Sequence, residues 1–402
     1  MRFCFYSGYR DVKGGYTTLL LTLIKELKRQ KYEVVLFNFS DGLIVSELER
    51  EGFGINLIDL DTIKWNEIDQ RIFPTDIFII TRFLEVYKNL FEINPRFIYY
   101  DINDFICQIS DYKFGLRLPF LGKRLVQKLL AKKSLVFMDD TGIFNLKDQF
   151  FINIPNPEFL PVPVMLGKEN KYIKEHQVEQ AILKLTYIGR SVDWKMMPLK
   201  KILKDCARIA NFYRIYFTIL VDNIDNFHRF IDLTSLSNVN GLTINLVENM
   251  LPSEINDFLI NCSDLHFAMG TAALEAAKLG IPTILVDFST KEIKDNYQYR
   301  WLFESRSFSL GKNLDRVPLK KGAPMETIIL KLLNDSSRLD ISHRSYNYVA
   351  INHSVNKVVN KLVELSKVSE FRIRDARLYI PYYFKSHYII KKIASLLATE
   401  KE

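Results

Sequence analysis

Cys262-Ser263-Asp264-Leu265-His266-Phe267-Ala268-Met269-Gly270-Thr271-Ala272-Ala273-Leu274-Glu275-Ala276-Ala277-Lys278-Leu279-Gly280-Ile281-Pro282-Thr283 is the stretch on which the fold turns. Asp264–Ala268 is an apolar run of strand length. A Gly-Thr turn follows, then small and apolar residues at helical length over Ala272–Leu279, a glycine stop, and a proline that opens the next apolar run, Thr283–Val286. Strand, helix and strand in so few residues make a βαβ unit with parallel strands. Gly270 lets a ligand approach the backbone. Thr271 is placed to cap the helix, whose free N–H groups suit a phosphate. Glu275 is expected in the first turn, where a carboxylate can accept hydrogen bonds from vicinal hydroxyls such as those of a ribose. A turn and small helix residues also serve any βαβ crossover, so spacing alone leaves both readings open.

The same alternation runs outward. Leu183–Ile188, Ile215–Val221 and Leu242–Leu246 are expected strands, and Met197–Ala210, Thr327–Leu333 and Ser345–Leu365 expected helices. The first half repeats the pattern, with strands at Arg2–Ser7, Glu33–Phe39, Ile55–Leu60, Asp76–Thr81, Arg96–Tyr100, Ser134–Met138 and Phe150–Ile152. Gly14-Gly15 opens a helix whose Leu19, Leu20, Leu23, Ile24 and Leu27 are helically spaced. Between the halves, Asn153-Ile154-Pro155-Asn156-Pro157 and Pro161-Val162-Pro163 break both periods. The expected class is α/β: two Rossmann-like domains facing across a cleft, with a C-terminal helical extension. The domains are read as residues 1–158 on the acceptor side, a linker over 159–180, a nucleotide-binding domain over 181–366, and a basic amphipathic extension over 367–402.

Two further stretches could carry chemistry. Tyr187-Ile188-Gly189-Arg190-Ser191-Val192-Asp193-Trp194-Lys195 ends the first strand of the second domain, and Arg190 and Lys195 are two cations where a diphosphate could lie. Taken alone, Lys195 reads better as a solvated surface charge. Gly8 and Gly14-Gly15 flank the first strand–helix turn, but the spacing lacks G-x-G-x-x-G. Asp41, at the end of the second strand, is where a dehydrogenase could place its ribose acid, a reading that the missing glycine pattern weakens.

Gly14-Gly15 with its helix, Pro155-Asn156, Gly189-Arg190 with Lys195, the Gly270–Pro282 segment and His353–Leu365 together resemble a GT-B glycosyltransferase of the group-1, GT4-like kind. The likeness covers residues 1–366 and is more specific in the second domain. It implies that Arg190 and Lys195 bind the donor diphosphate, that Glu275 binds the nucleotide ribose, and that Gly14, Gly15, Gly270 and Thr271 border the donor. The donor would be a UDP- or GDP-linked sugar, the acceptor a glycan or lipid-linked glycan of a bacterial surface polysaccharide, with no metal or other cofactor in the site. The chain departs from the family at one point: the first Glu of the E-x7-E motif is replaced by Phe267, so the stereochemical outcome is not inherited. The run Tyr99-Tyr100-Asp101-Ile102-Asn103-Asp104 offers Asp101, at a strand end facing the cleft, as the carboxylate that takes the acceptor proton if the enzyme inverts. Asp59-Leu60-Asp61 spells the D-x-D of metal-dependent enzymes of another fold and reads here as surface loop. UDP-sugar 2-epimerases, glycerophosphotransferases of cell-wall polymers and inactive homologues share the fold and are the alternatives.

Composition sets the outer bounds. The 402 residues are 48% hydrophobic and 25% charged, with 29 Phe and 20 Tyr, values of a globular chain. The net charge of +8 favours an anionic partner. No helix-turn-helix, finger or RNP-like stretch supports nucleic acid as that partner. Cys4, Cys107, Cys206 and Cys262 lie far apart and read as reduced thiols of a cytoplasmic protein. Neither a transmembrane run nor a signal peptide is expected. Tyr112–Ser134 holds seven basic residues and no acid among apolar ones, and Phe371–Leu397 repeats the style. Both suit an anionic bilayer face, so peripheral attachment to the inner face of the cell membrane is expected, mainly through Lys123, Arg124 and Lys128.

Overall fold

Strands that are apolar almost throughout are buried on both faces, which is what a parallel sheet between helices demands. The computed structural model describes residues 1–11, 14–81, 90–102, 119–167, 182–251, 254–316 and 322–376. The chain divides into two compact units, Met1–Pro163 with Val355–Glu402, and Val164–Ser354.

Unit 1 begins β1 (Arg2–Tyr6), α1 (Gly15–Arg29), β2 (Glu33–Asn38), α2 (Leu43–Arg50), β3 (Asn56–Asp59), β4 (Ile77–Ile80) and β5 (Arg96–Asp101). It continues through α3 (Pro119–Ala131), β6 (Leu135–Phe137) and α4 (Thr141–Phe150). The sheet order is β3-β2-β1-β4-β5-β6, every pair parallel. The chain steps outward from β1 to β3, then returns to the other side of β1, so the direction of winding reverses between β1 and β4. Phenylalanines account for much of this core: the rings of Phe37, Phe78 and Phe97, on three strands, follow one another at 5.6 and 5.0 Å.

Unit 2 repeats the plan. It runs β7 (Ile182–Gly189), α5 (Asp193–Ile209), β8 (Arg214–Val221), α6 (Ile224–Phe230), α7 (Thr234–Ser237), β9 (Leu242–Glu248) and α8 (Ile255–Cys262). Then follow β10 (Leu265–Ala268), α9 (Thr271–Ala277), β11 (Thr283–Leu285), β12 (Arg300–Trp301), α10 (Met325–Leu333) and α11 (Asp335–Asn352). The order is β12-β11-β10-β7-β8-β9, parallel except for the short β12. Its winding reverses between β7 and β10. Ligands of open α/β sheets bind beyond the carboxyl ends of the strands at such a reversal. α5 packs Leu199, Ile202, Leu203 and Cys206 into the core beside Leu185, Tyr187, Phe217 and Phe267. A buried network fixes the same helix: Lys201 Nζ lies 2.6 and 2.7 Å from the Asp205 oxygens, and Tyr299 donates to Asp205 at 2.6 Å.

The structure corrects several expectations. The strand expected at Phe150–Ile152 is absent; Phe150 ends α4, because Leu146 and Phe150, four residues apart, both enter the core as helical neighbours. The single helix expected over Ser345–Leu365 is two, α11 and α12 (Val355–Val368). The break at His353-Ser354 is where the chain returns to unit 1, and Val164 N donates to His353 O at 2.7 Å beside it. α12, expected in the second domain, belongs to unit 1, with Val358, Val359 and Leu362 buried and α1 alongside.

The start of the expected C-terminal extension also belongs to the unit 1 core. Phe371, Ile373 and Ala376 are fully buried there, and Ser369 donates to Phe97 O at 3.0 Å. Asp375 binds Lys132 at 2.6 Å and Lys128 at 3.3 Å, so two of the expected membrane-facing cations are already paired; Lys123 and Arg124 enter no ion pair among the described residues. Tyr112–Leu118 and the extension beyond Ala376 lie outside the described residues. No helix among the described residues is long and apolar enough to cross a membrane.

If residues after α12 are part of the unit 1 core, Phe371→Ala should lower unfolding stability by about 3–5 kcal/mol, the usual cost of emptying a buried phenylalanine site. Urea denaturation followed by tryptophan and far-UV signals checks this; a loss below about 0.5 kcal/mol would mean that the segment is not structural.

Candidate functional site

The carboxyl end of β7 begins with a steric requirement. Tyr187 is fully buried, and its ring lies so close to Gly189 that a Cβ there would meet the phenol oxygen at 2.5 Å. Glycine therefore lets the strand run to its end over the tyrosine. The next residues turn sharply. Ser191 is buried, donates its N–H to Asp222 Oδ1 at 2.6 Å and its hydroxyl to Asn223 O at 2.7 Å. Asp222 and Asn223 follow β8, so the β7–α5 turn is fastened to the end of the neighbouring strand. Val192 is extended and precedes α5, and Asp193 complements the dipole in the first turn.

This turn presents the two predicted cations. Arg190 is exposed, while Lys195, in the first turn of α5, is half-buried with Nζ 5.2 Å from the Trp194 ring centre. Burial, and then the Arg190 charge, push the Lys195 ammonium down to about 8, against a smaller opposing pull from Asp222. Among the described residues neither side chain has a carboxylate partner or a hydrogen bond. Several other cations taken partly or fully out of water have partners: Lys201 with Asp205, Arg300 with Asp287 at 2.6 Å, Arg2 with Asp76 at 2.6 Å, and Arg96, beside Arg372, with the Ser366 carbonyl at 3.0 Å. A desolvated cation beside a like charge costs several kcal/mol unless an anion arrives to compensate it. Such an arrangement marks a binding site more often than a structural one.

β10 ends next to β7. Phe267 is level with Tyr187 in the register, and Gly270 follows two residues after β10 ends, as Arg190 follows the end of β7. Gly270 has φ 66°, a conformation that glycine adopts without strain, with no atom within 4 Å of where a Cβ would stand. Its N–H donates to Leu310 O at 2.8 Å. Thr271 does not cap the helix as expected: Gly270 holds the N-cap position, Thr271 is the first helical residue, and no side chain caps the end. Glu275 lies in the second turn, not the first, because the helix starts one residue before the expected Ala272 and spans Thr271–Ala277. Its Oε2 is held by Lys278 in an i,i+3 pair, and the residue is half-buried. Oε1 makes no hydrogen bond among the described residues.

Phe267, at the position of the missing acid, points into the core, 6.1 Å from both Phe217 and Tyr299. His266 is equally unavailable: fully buried, Nδ1 2.8 Å from Thr186 Oγ1, and driven down to about 3 by burial. It stays neutral across the physiological range. Arg190 and Lys195 thus follow β7, and Gly270, Thr271 and Glu275 follow β10, its neighbour in the sheet of unit 2.

Gly14, Gly15 and Asp101 belong to unit 1. Gly14 has φ 148° and precedes α1, of which Gly15 is the first residue, at the β1–β4 reversal. Asp101 is the last residue of β5 and is 4% exposed. Its Oδ2 lies where a Cβ on Gly142 would be 2.1 Å away, so the carboxylate is lodged against the first turn of α4. Asp41 is committed to Arg10, which also binds Asp61 and stacks 4.2 Å over Phe39. Asp59 accepts from Asp61 N at 3.2 Å and Thr62 Oγ1 at 3.2 Å, and Asp61 is paired with Arg10, so both acids of D-x-D are already engaged. Among the described residues no three His, Cys, Asp or Glu side chains come together as a cation site.

No family model matches the sequence, and no curated protein matches it. Solved structures do resemble it. A glycosyltransferase from Rickettsia africae ESF-5 aligns at a TM-score of 0.61 and 14% identity, over 91% of this chain and 97% of that one. An Anabaena protein, HepE, solved with UDP and glucose, aligns at 0.54 and 11% identity, over 90% and 98%. An α-glucosyltransferase solved with UDP and a 13-mer DNA containing an HMU base aligns at 0.52 and 12% identity, over 91% and 99%. The chain shares its fold with these glycosyltransferases, two doubly wound α/β units of GT-B type.

Proposed function

We propose that unit 2 binds a nucleoside-diphosphate sugar and that the protein is a glycosyltransferase. The observation that carries this reading is the pair Arg190 and Lys195: two cations, one desolvated, with no anion of their own, at the strand ends where the winding reverses. A diphosphate supplies the missing charge. Gly270 leaves open backbone beside it, and Glu275 Oε1 is available to a sugar hydroxyl of the nucleoside. UDP is the first ligand to test, since similar folds have been solved with it.

In the transfer, the bond from the sugar anomeric carbon to the diphosphate oxygen breaks, the acceptor oxygen bonds to that carbon, and the acceptor hydroxyl proton passes to the leaving diphosphate or to water. Negative charge grows on the leaving diphosphate, and Lys195 and Arg190 stabilise it more strongly there than in the bound donor. The buried side of Lys195 strengthens this effect, because its charge is poorly screened. We read the acceptor as a glycan or lipid-linked glycan of a surface polysaccharide, met at an anionic membrane face through Lys123 and Arg124. Product analysis with a labelled donor, with and without acceptor, separates transfer from epimerisation.

Lys195 carries its proton below about 8 and loses it above. UDP affinity measured by calorimetry should therefore fall as pH rises from 7 to 9, while Lys195→Ala binds weakly and without that slope. At pH 7 the variant should lose about tenfold to a hundredfold, the value of a charge-assisted contact. Equal affinity of the two proteins would remove Lys195 from the site. Glu275→Ala should weaken uridine and UDP by similar factors with the melting temperature of the free protein unchanged; loss of UDP binding with uridine binding unaffected would assign Glu275 elsewhere.

A further inference from the structure

The turn that carries Arg190 and Lys195 is fastened by a residue that the sequence gives no reason to notice. Asp222 stands just past β8, 31 residues beyond Ser191, and accepts the Ser191 N–H at 2.6 Å. A second bond, Ser191 Oγ to Asn223 O at 2.7 Å, ties the same turn to the same strand end. Ser191 is buried, so its N–H has no water to turn to if the carboxylate is removed. The acceptor at this position could have been any carbonyl. A carboxylate also brings a negative charge to the turn.

We propose that Asp222 is the positioning residue of the anion site: it fixes the Arg190–Ser191 turn through the Ser191 N–H and sets a negative charge beside the cations that the turn carries. The proposal rests on the reading of Arg190 and Lys195 as the diphosphate site. The charged groups that act on Lys195 are Arg190 from its own turn, which works against protonation, and Asp222 from the neighbouring strand end, which works for it. Trp194 faces the ammonium with its ring, and the Tyr187 hydroxyl, kept neutral by burial, donates to the Lys195 carbonyl at 3.3 Å. No second carboxylate acts on Lys195 among the described residues. Asp222 does not contact the diphosphate. Its charge opposes an incoming anion, so its benefit must come through Lys195.

That opposition gives a signature that a purely structural role cannot produce. Asp222→Asn keeps an oxygen to accept the Ser191 N–H and removes only the charge. At pH 6, where Lys195 is protonated in both proteins, the variant should bind UDP as tightly as wild type or up to a few-fold tighter. At pH 8.5, where the variant has lost more of its ammonium, it should bind more weakly, so the two affinity–pH curves cross. Asp222→Ala, which also releases the turn, should bind more weakly at every pH.

The second measurement needs no nucleotide. With 13C-labelled lysine, and the signal assigned by its loss in Lys195→Arg, the Lys195 resonance should titrate with its midpoint lowered by about half a pH unit or more in Asp222→Asn, as expected for one charge at short range in a partly solvated site. An unchanged midpoint overturns the proposal whether or not UDP binds. A lowered midpoint with parallel affinity curves overturns the link to binding. Absence of UDP binding by wild type, with the midpoint lowered as expected, refutes the donor-site reading and leaves the electrostatic role of Asp222 standing.

Discussion

A lysine ammonium taken partly out of water, with an arginine beside it and no carboxylate bonded to either, is the constraint on which the rest of this structure depends. Folding must supply the free energy that keeps those charges together. α5 does so by burying a long apolar face and by closing its own ion pair, Lys201 with Asp205, further along the helix. The contrast within one helix is informative. Lys201 is matched by Asp205, whereas Lys195, six residues earlier, has no carboxylate bonded to it.

The topology explains why the open charges sit where they do. In both units the chain winds outward from a central strand and then starts again on that strand's other side. Neighbouring loops at the reversal diverge and leave a crevice, which other strand ends lack. In unit 2 Arg190 follows β7 and Met269-Gly270 follows β10, the two strands that flank the reversal. The first supplies charge, and the second supplies backbone with no side chain to block approach. Asp101 shows the opposite case: it lies at a strand end away from a reversal, and helix α4 covers it.

Much of this was legible in the sequence, for physical reasons that can be named. Parallel strands are apolar on both faces, so runs such as Ile215–Val221 and Arg96–Tyr100 announce themselves. Gly270 was legible because a strand–turn–helix needs a positive φ there. The failures are equally specific. Phe150–Ile152 has strand-like residues, but helix α4 uses Phe150 to close its core face. The membership of α12 in unit 1 depends on a chain crossing at His353-Ser354, which local pattern does not record. Glu275 reads from the sequence as an acceptor for vicinal hydroxyls, and Lys278 three residues on already binds one of its oxygens. The depressed ammonium of Lys195 and the bond from Ser191 to Asp222 arise from burial and from contact between strands, neither of which sequence spacing encodes.

A crystal structure of the protein with UDP tests the central claim most directly. The account requires the β-phosphate oxygens within hydrogen-bonding distance of Lys195 Nζ and the Arg190 guanidinium, with the ribose toward Glu275. UDP bound elsewhere, or bound here with Lys195 turned away from the phosphates, would contradict it.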